Sequence, residues 1–152
     1  MKKIIIIVAF YIGVPAMGFA QQPEENIRQV ILELFKAMKE SDTATLRSCF
    51  SETAFLQTFS RPVNGEQGIT TQTVSDFCKA VAQMPPGTAD ERVVFRQILV
   101  DGNMASVWTP FKLYINGQYY SCGVNSIQMV RTNGQWKIQY LIDTRRKDNC
   151  VE

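Results

Sequence analysis

The chain has 152 residues, of which 45% are hydrophobic and 20% charged, and it carries 16 basic and 14 acidic residues but no histidine. This composition excludes an intrinsically disordered chain and fits one globular domain. The nearly balanced charge argues against nucleic acid as a partner, and the absence of histidine excludes a histidine general base and every histidine-ligated metal site.

The first 20 residues predict a secretory signal peptide. Lys2 and Lys3 precede the apolar run Ile4–Ile12, and small residues lead to a predicted cleavage site after Ala20. A membrane anchor is the alternative, but this run is shorter than the roughly 20 apolar residues that a spanning helix needs. We therefore expect an exported protein, periplasmic or secreted, without a membrane span once the signal is removed. The mature domain, residues 21–152, then has equal numbers of basic and acidic residues.

Two helices are predicted at the start of the mature domain, over Glu24–Glu40 and Thr43–Phe50. The first has an apolar stripe at helical spacing, which indicates one buried face. That stripe consists of Ile27, Val30, Ile31, Leu34, Phe35 and Met38. Ser41-Asp42 separates the two helices, and such residues can end one helix and cap the next.

A short strand, a loop and a third helix are predicted next. Thr53–Phe59 alternates weakly between apolar and polar residues and predicts a strand, whereas Arg61–Gly68 is rich in Gly and Pro and predicts a loop. Thr73–Met84 places apolar residues on one helical face. Pro85-Pro86-Gly87 then ends this helix, because proline cannot continue the helical hydrogen bonding.

The second half of the chain predicts a four-stranded antiparallel meander over Arg92–Arg145. Three turn dipeptides divide it, at Asp101-Gly102, Asn116-Gly117 and Asn133-Gly134. Such dipeptides favour tight hairpins because both central residues of a type I′ turn need positive φ. Strands of this length twist and coil, so helices followed by a meander predict an α+β domain with a strongly curved antiparallel sheet packed on the N-terminal helices.

The order of these elements resembles the nuclear transport factor 2-like superfamily over almost all of Glu24–Cys150. Val100–Trp108 looks like the central hairpin of that superfamily, and Cys122–Ser126 and Trp136–Arg146 look like its last two strands. The small exported branch called Putative lumazine-binding, near the polyketide-cyclase-like proteins, is the most similar. The resemblance implies a cone-shaped domain, but it does not specify a reaction, because members include isomerases, cyclases, dehydratases and binding modules.

A register without bulges predicts which side chains face a pocket. It places Asn125 opposite both Trp108 and Ile142, and Trp108 opposite Phe95. The resulting face is aromatic with a few polar groups, which is typical of ligand pockets. The expected ligand-binding residues are Gln97, Trp108, Tyr114, Asn125 and Tyr140. The alternative is that these aromatic residues fill the core, and a single bulge would exchange the two faces.

The opposite face of the meander predicts a homodimer interface. It is more apolar than a solvent-exposed sheet face should be, and the resemblance implies that the outer sheet face is often used for dimerisation. Val107, Phe111 and Val124 would lie near its centre. In the alternative register, these three residues belong to the core.

Four cysteines, Cys49, Cys78, Cys122 and Cys150, allow two disulfides in an exported protein, with three possible connectivities. Their wide spacing disfavours a zinc site, and buried free thiols are the alternative for each of them. The pair to test first is Cys122 with Cys150, because it would tie the C-terminal tail to the sheet.

No catalytic residues are apparent in the sequence. On the bulge-free register Asp143 lies on the face opposite the pocket, and Glu52, Glu66 and Asp76 have the features of surface carboxylates. We therefore expect an exported binding module for a small apolar or aromatic molecule, without a cofactor or a metal. The alternatives are an isomerase or cyclase that uses an unidentified pocket carboxylate, and a purely structural dimeric envelope protein.

Overall fold

A computed structural model of the chain describes residues 23–59 and 66–151. The predicted signal peptide and its cleavage site lie outside these residues, as does most of the predicted loop over Arg61–Gly68. None of the helices within the described ranges combines the length and the apolar character needed to cross a membrane.

Three helices form the N-terminal layer: α1 (Pro23–Glu40), α2 (Thr43–Ser48) and α3 (Val74–Ala82). The predicted apolar stripe of α1 is buried at all but one of its positions, because Val30 is only half-buried. Asp42 caps α2 by accepting a hydrogen bond from the Thr45 amide at 3.1 Å. Thr73 caps α3 in the same way, so side-chain acceptors satisfy the free amides at both helix starts.

Seven strands form one curved, unclosed sheet against these helices, which confirms the predicted α+β fold. The strands are β1 (Phe50–Phe59), β2 (Ile69–Thr73), β3 (Ala89–Val93), β4 (Gln97–Asp101), β5 (Met104–Ile115), β6 (Gln118–Thr132) and β7 (Gln135–Arg146). Their order is β2-β1-β7-β6-β5-β3, and β4 also pairs with β5. The sheet is not wholly antiparallel, since β1 runs parallel to β7.

The predicted first strand of the meander is divided into β3 and β4. Both pair with β5, and the interruption at Val94 faces Pro110 of β5, whose carbonyl accepts the Val94 amide at 2.9 Å. The N–H and C=O groups of a strand residue point to the same side, so Pro110 lacks the donor that a continuous ladder needs there.

Two bulges and a shifted turn change the predicted register. The Asn116-Gly117 and Asn133-Gly134 turns form as expected, with positive φ at all four residues. The first hairpin, however, turns at Gly102-Asn103, because Asp101 pairs with Met104. Bulges between Leu113/Tyr114 and between Gln128/Met129 each shift the pairing by one residue. A one-residue shift exchanges the faces of a strand.

The predicted pairings of Asn125 were therefore wrong. Asn125 pairs with Thr109 and Asp143 instead of Trp108 and Ile142, and Trp108 pairs with Gln97 instead of Phe95. The inner face, which meets the helices, thus contains Asn125 and Asp143. The outer face contains Trp108, whose surface is 48% exposed.

The three predicted dimer residues are buried within the single chain. Val107 and Phe111 lie on the inner face, so their placement on the outer face was wrong, and the bulge in the β5–β6 ladder is the reason. Val124 is on the outer face but is buried there. The exposed apolar side chains of the outer face are instead Leu99, Met104 and Trp108. A homodimer through this face stays a prediction.

A disulfide joins Cys122 of β6 to Cys150 in the tail after β7. The Tyr119 hydroxyl also donates a hydrogen bond to the Lys147 carbonyl at 3.0 Å, so the tail is held at two points. Cys49 and Cys78 are free thiols. Burial raises the pKa of the Cys49 thiol to about 11, which makes it a poor nucleophile.

Candidate functional site

A cavity of about 750 Å³ lies between the inner face of the sheet and the helices. Its walls are largely apolar, with polar groups concentrated on the sheet, which is the usual composition of a small-molecule site. The apolar lining comprises Leu34, Phe35, Met38, Leu56, Phe77, Met84, Ala89, Phe111, Leu113, Ile115 and Leu141. The helices α1 and α3 therefore form an apolar roof over the sheet.

A row of polar side chains crosses four adjacent strands on the inner face. Backbone pairing places Thr109 of β5 beside Asn125 of β6, Asn125 beside Asp143 of β7, and Asp143 beside Thr58 of β1. Thr58, Asn125 and Asp143 line the cavity directly, and Thr109 is fully buried at the end of the row. We call these four residues the polar row.

Glu91 extends the polar row from the β3 side. Its Oε1 accepts a hydrogen bond of 2.9 Å from Nδ2 of Asn125, and the side chain lines the cavity. Burial among apolar neighbours raises the pKa of Glu91 to about 7, the Asn125 hydrogen bond opposes this rise, and the nearby Asp143 charge adds to it. Glu91 is therefore poised to gain or lose a proton near neutral pH.

Asp143 is the second carboxyl group of the cavity, and it is only 5% exposed. Its Oδ2 accepts a hydrogen bond from Nε of Arg145, two residues along the same strand, and this contact is also an ion pair. Its Oδ1 has no hydrogen-bond partner among the described residues, and the same holds for the hydroxyl groups of Thr58 and Thr109. The polar row thus offers unused acceptors at the buried side of the cavity.

Gly123 makes room for the wall of the cavity beside Arg145. It pairs with Phe111 on one side and with Arg145 on the other, and both of those side chains line the cavity. A Cβ atom at Gly123 would lie 2.8 Å from the Phe111 ring. The absence of a side chain at this position therefore lets the Phe111 ring lie across the neighbouring strand.

Of the five predicted ligand-binding residues, Asn125 alone lines this cavity. Gln97 and Trp108 form an exposed pair on the outer face. Tyr140 also lies there, where its hydroxyl donates to Oε1 of Gln57 at 2.7 Å and its ring packs on Phe55. Tyr114 contacts the Arg92 guanidinium and the Tyr119 ring.

The sequence reasoning missed Glu91 and misplaced Asp143. The cavity wall does contain two carboxyl groups, so the expectation of a pocket face without Asp or Glu was wrong. A signal for Glu91 existed, because Ala89, Glu91 and Val93 alternate with polar neighbours and place a carboxyl group on an apolar face. Asp143 carried no comparable signal, since its face depends on the bulge between Gln128 and Met129.

The arrangement can bind a small molecule and exchange a proton with it. Glu91 can act as acceptor or donor near pH 7, while the amide group of Asn125 and the Asp143 carboxylate can orient a polar edge. Across residues 23–59 and 66–151 no group of three or more side chains is arranged to hold a metal ion.

The cone-shaped sheet, the helical roof and the cavity between them define a nuclear transport factor 2-like protein. The sequence profile of the family described as Putative lumazine-binding matches residues 22–140, and the chain belongs to that family. No curated protein matches the chain significantly.

Solved structures show the same fold. A nuclear transport factor 2-like protein of unknown function from Shewanella baltica is 16% identical, with a TM-score of 0.68, and the match covers 84% of this chain and 96% of that one. One from Silicibacter pomeroyi is 15% identical, with a TM-score of 0.65 and coverage of 81% and 95%. One from Shewanella oneidensis is 15% identical, with a TM-score of 0.62 and coverage of 80% and 98%.

Proposed function

We propose that the protein binds a small, largely apolar molecule in the cavity beneath α1 and α3. The observation that carries this proposal is the cavity of about 750 Å³, whose apolar walls surround the polar row and Glu91. This volume falls in the range of roughly 300–1,000 Å³ that is typical of ligand sites. Membership of a family described as Putative lumazine-binding supports the same class of function.

We also propose that the protein acts outside the cytosol as a homodimer. The disulfide between Cys122 and Cys150 supports export, because such bonds persist mainly in oxidising compartments. The exposed Leu99, Met104 and Trp108 on one sheet face support self-association, because exposed apolar side chains that share a face favour a partner.

A matched pair of tryptophan substitutions tests the binding function. Leu113→Trp should fill part of the cavity, whereas Leu99→Trp adds the same bulk on the outer face. We expect the neutral probe N-phenyl-1-naphthylamine to bind the wild type, and Leu113→Trp to weaken its affinity by about tenfold or more through lost contact area. Fluorescence titration measures both affinities, with circular dichroism to check folding. Equal affinities for the two variants would show that the probe binds elsewhere.

Glu91 favours a second candidate function, proton transfer at a carbon acid. A carboxyl group whose pKa is raised to about 7 inside an apolar cavity has the properties of a general base. In that case Glu91 would remove a proton from the substrate, and the Asn125 amide would hold its carboxyl group in place.

Hydrogen–deuterium exchange at C1 of 2-tetralone, followed by NMR in D₂O, separates this function from plain binding. The wild type should accelerate exchange on the order of 10²-fold over Glu91→Gln, which is a typical contribution of a positioned base. Glu52→Gln, at an exposed position on β1, is the matched control and should exchange like the wild type. Equal rates for Glu91→Gln and the wild type would reject the catalytic role.

A further inference from the structure

The buried side of the cavity contains two carboxyl groups but only one matching cation. Asp143 is ion-paired with Arg145, whereas the contact to the Glu91 carboxyl group is the neutral amide of Asn125. Among the described residues, no lysine or arginine forms an ion pair with Glu91. When Glu91 is ionised, this part of the cavity therefore lacks one positive charge.

The unused hydrogen-bonding groups there are mainly acceptors. Oδ1 of Asp143 is buried, has no partner and can only accept while the residue is paired with Arg145. Oε2 of Glu91 is a further acceptor in the ionised state. Buried polar atoms of folded proteins are nearly always satisfied, so a molecule that fits this site should bring donors toward Asp143 and Glu91.

We propose that the ligand of this cavity is a compact, planar cation with at least two N–H donors, of the amidine or protonated aminoheterocycle type, bound with its N–H edge toward Glu91 and Asp143. This inference rests on the proposed binding function and specifies its ligand class. Such a cation supplies both the missing charge and the missing donors, and planar N–H pairs bind carboxylates in a bidentate manner.

The apolar walls suit the remainder of such a molecule. Phe35 of α1, Phe77 of α3 and Phe111 of β5 all line the cavity, and aromatic rings bind both flat apolar groups and cations. A neutral carbonyl compound would leave Oδ1 of Asp143 without a donor. An anion would be repelled by two carboxyl groups.

The affinity for a cation should depend on pH through Glu91. The charged groups on the elements packed around Glu91 are Lys36, Lys39 and Glu40 of α1, Asp90 and Arg92 of β3, and Asp143 and Arg145 of β7. Lys39 and Arg92 are both paired with Asp90, and Asp143 and Arg145 are the two charges that perturb Glu91. A proton and a cation compete for Glu91, whose pKa is about 7, so cation binding should strengthen as the pH rises and level off above 7.

Three isosteric probes test the inference: benzamidinium, benzamide and benzoate, which differ in charge and in donor number. Isothermal titration calorimetry of the mature protein should show benzamidinium binding at least about tenfold more tightly than benzamide at pH 8, with benzoate weakest. Benzamidinium should bind about tenfold more weakly at pH 6 than at pH 8. Glu91→Gln should abolish both the pH dependence and the preference for the cation, whereas Glu52→Gln should keep them.

Two results would overturn the inference. One is benzamide or benzoate binding as tightly as benzamidinium, and the other is an affinity for benzamidinium that stays constant or falls as the pH rises. If either occurs while N-phenyl-1-naphthylamine still binds in the cavity, the binding function stands and only the ligand class is rejected. If none of the four probes binds, both proposals fail.

Discussion

Replacing Gly123 with alanine is expected to lower the free energy of unfolding by about 3 kcal/mol or more, because overpacking against a backbone atom cannot be relieved by a rotamer change. The new Cβ would lie 1.7 Å from the Thr144 carbonyl oxygen and 2.8 Å from the Phe111 ring. Relief would require β6 and β7 to separate in the middle of the sheet. Urea denaturation followed by circular dichroism measures the change.

Gly134→Ala is the matched control for this substitution. A Cβ at Gly134 would meet nothing within 4 Å, but the residue has φ +78°, so alanine there is disfavoured by backbone conformation alone. We expect a cost of about 1–2 kcal/mol for that left-handed conformation. A Gly123→Ala cost no larger than the Gly134→Ala cost would show that β6 and β7 tolerate a side chain at Gly123.

Glu91→Gln is expected to stabilise the protein at pH 8 by roughly 3 kcal/mol and to leave its stability unchanged near pH 4. The pKa of Glu91 is raised from 4.5 to about 7 on folding. The wild type is therefore fully stabilised below pH 4.5 and loses stability as the pH rises to 7, because ionisation is easier in the unfolded chain. Glutamine keeps the shape and the contact with Asn125 but cannot ionise.

Urea titrations of both proteins at several pH values between 4 and 8 test this expectation. The pKa values of Asp42, Asp76 and Asp90 are lowered, so their contributions are lost as the pH falls below about 4, equally in both proteins. The difference between the two proteins thus reports Glu91 alone, and Glu52→Gln should show no such difference. A constant difference across the pH range would mean that the Glu91 carboxyl group is well solvated.

Local signals in the sequence predicted most of the elements but not their register. The apolar stripe of α1 and the Asn116-Gly117 and Asn133-Gly134 turns depend on neighbouring residues, and these features were predicted correctly. The bulge between Gln128 and Met129 has no comparable local signature, because it depends on how β6 and β7 pack across the whole sheet.

The candidate site was predicted in outline and missed in detail for the same reason. A cavity between the sheet and helices followed from the curved meander, and Asn125 was placed in it correctly. The inner-face position of Asp143 was lost with the register. The strand β2, which adds Thr70 and Thr71 to the cavity wall, is five residues long and lacks clear alternation, so its sequence did not distinguish it from a loop.

The position of β7 in the sheet has a consequence for how the chain folds. This last strand lies between β1 and β6, so the first strand gains its long-range partner only when the end of the chain is available. The polar row then connects residues from opposite ends of the domain, and closing such distant contacts is slow. A nascent chain on the ribosome therefore cannot assemble the ligand site, and the domain must acquire it after synthesis is complete, as a protein that is threaded through a membrane before folding requires.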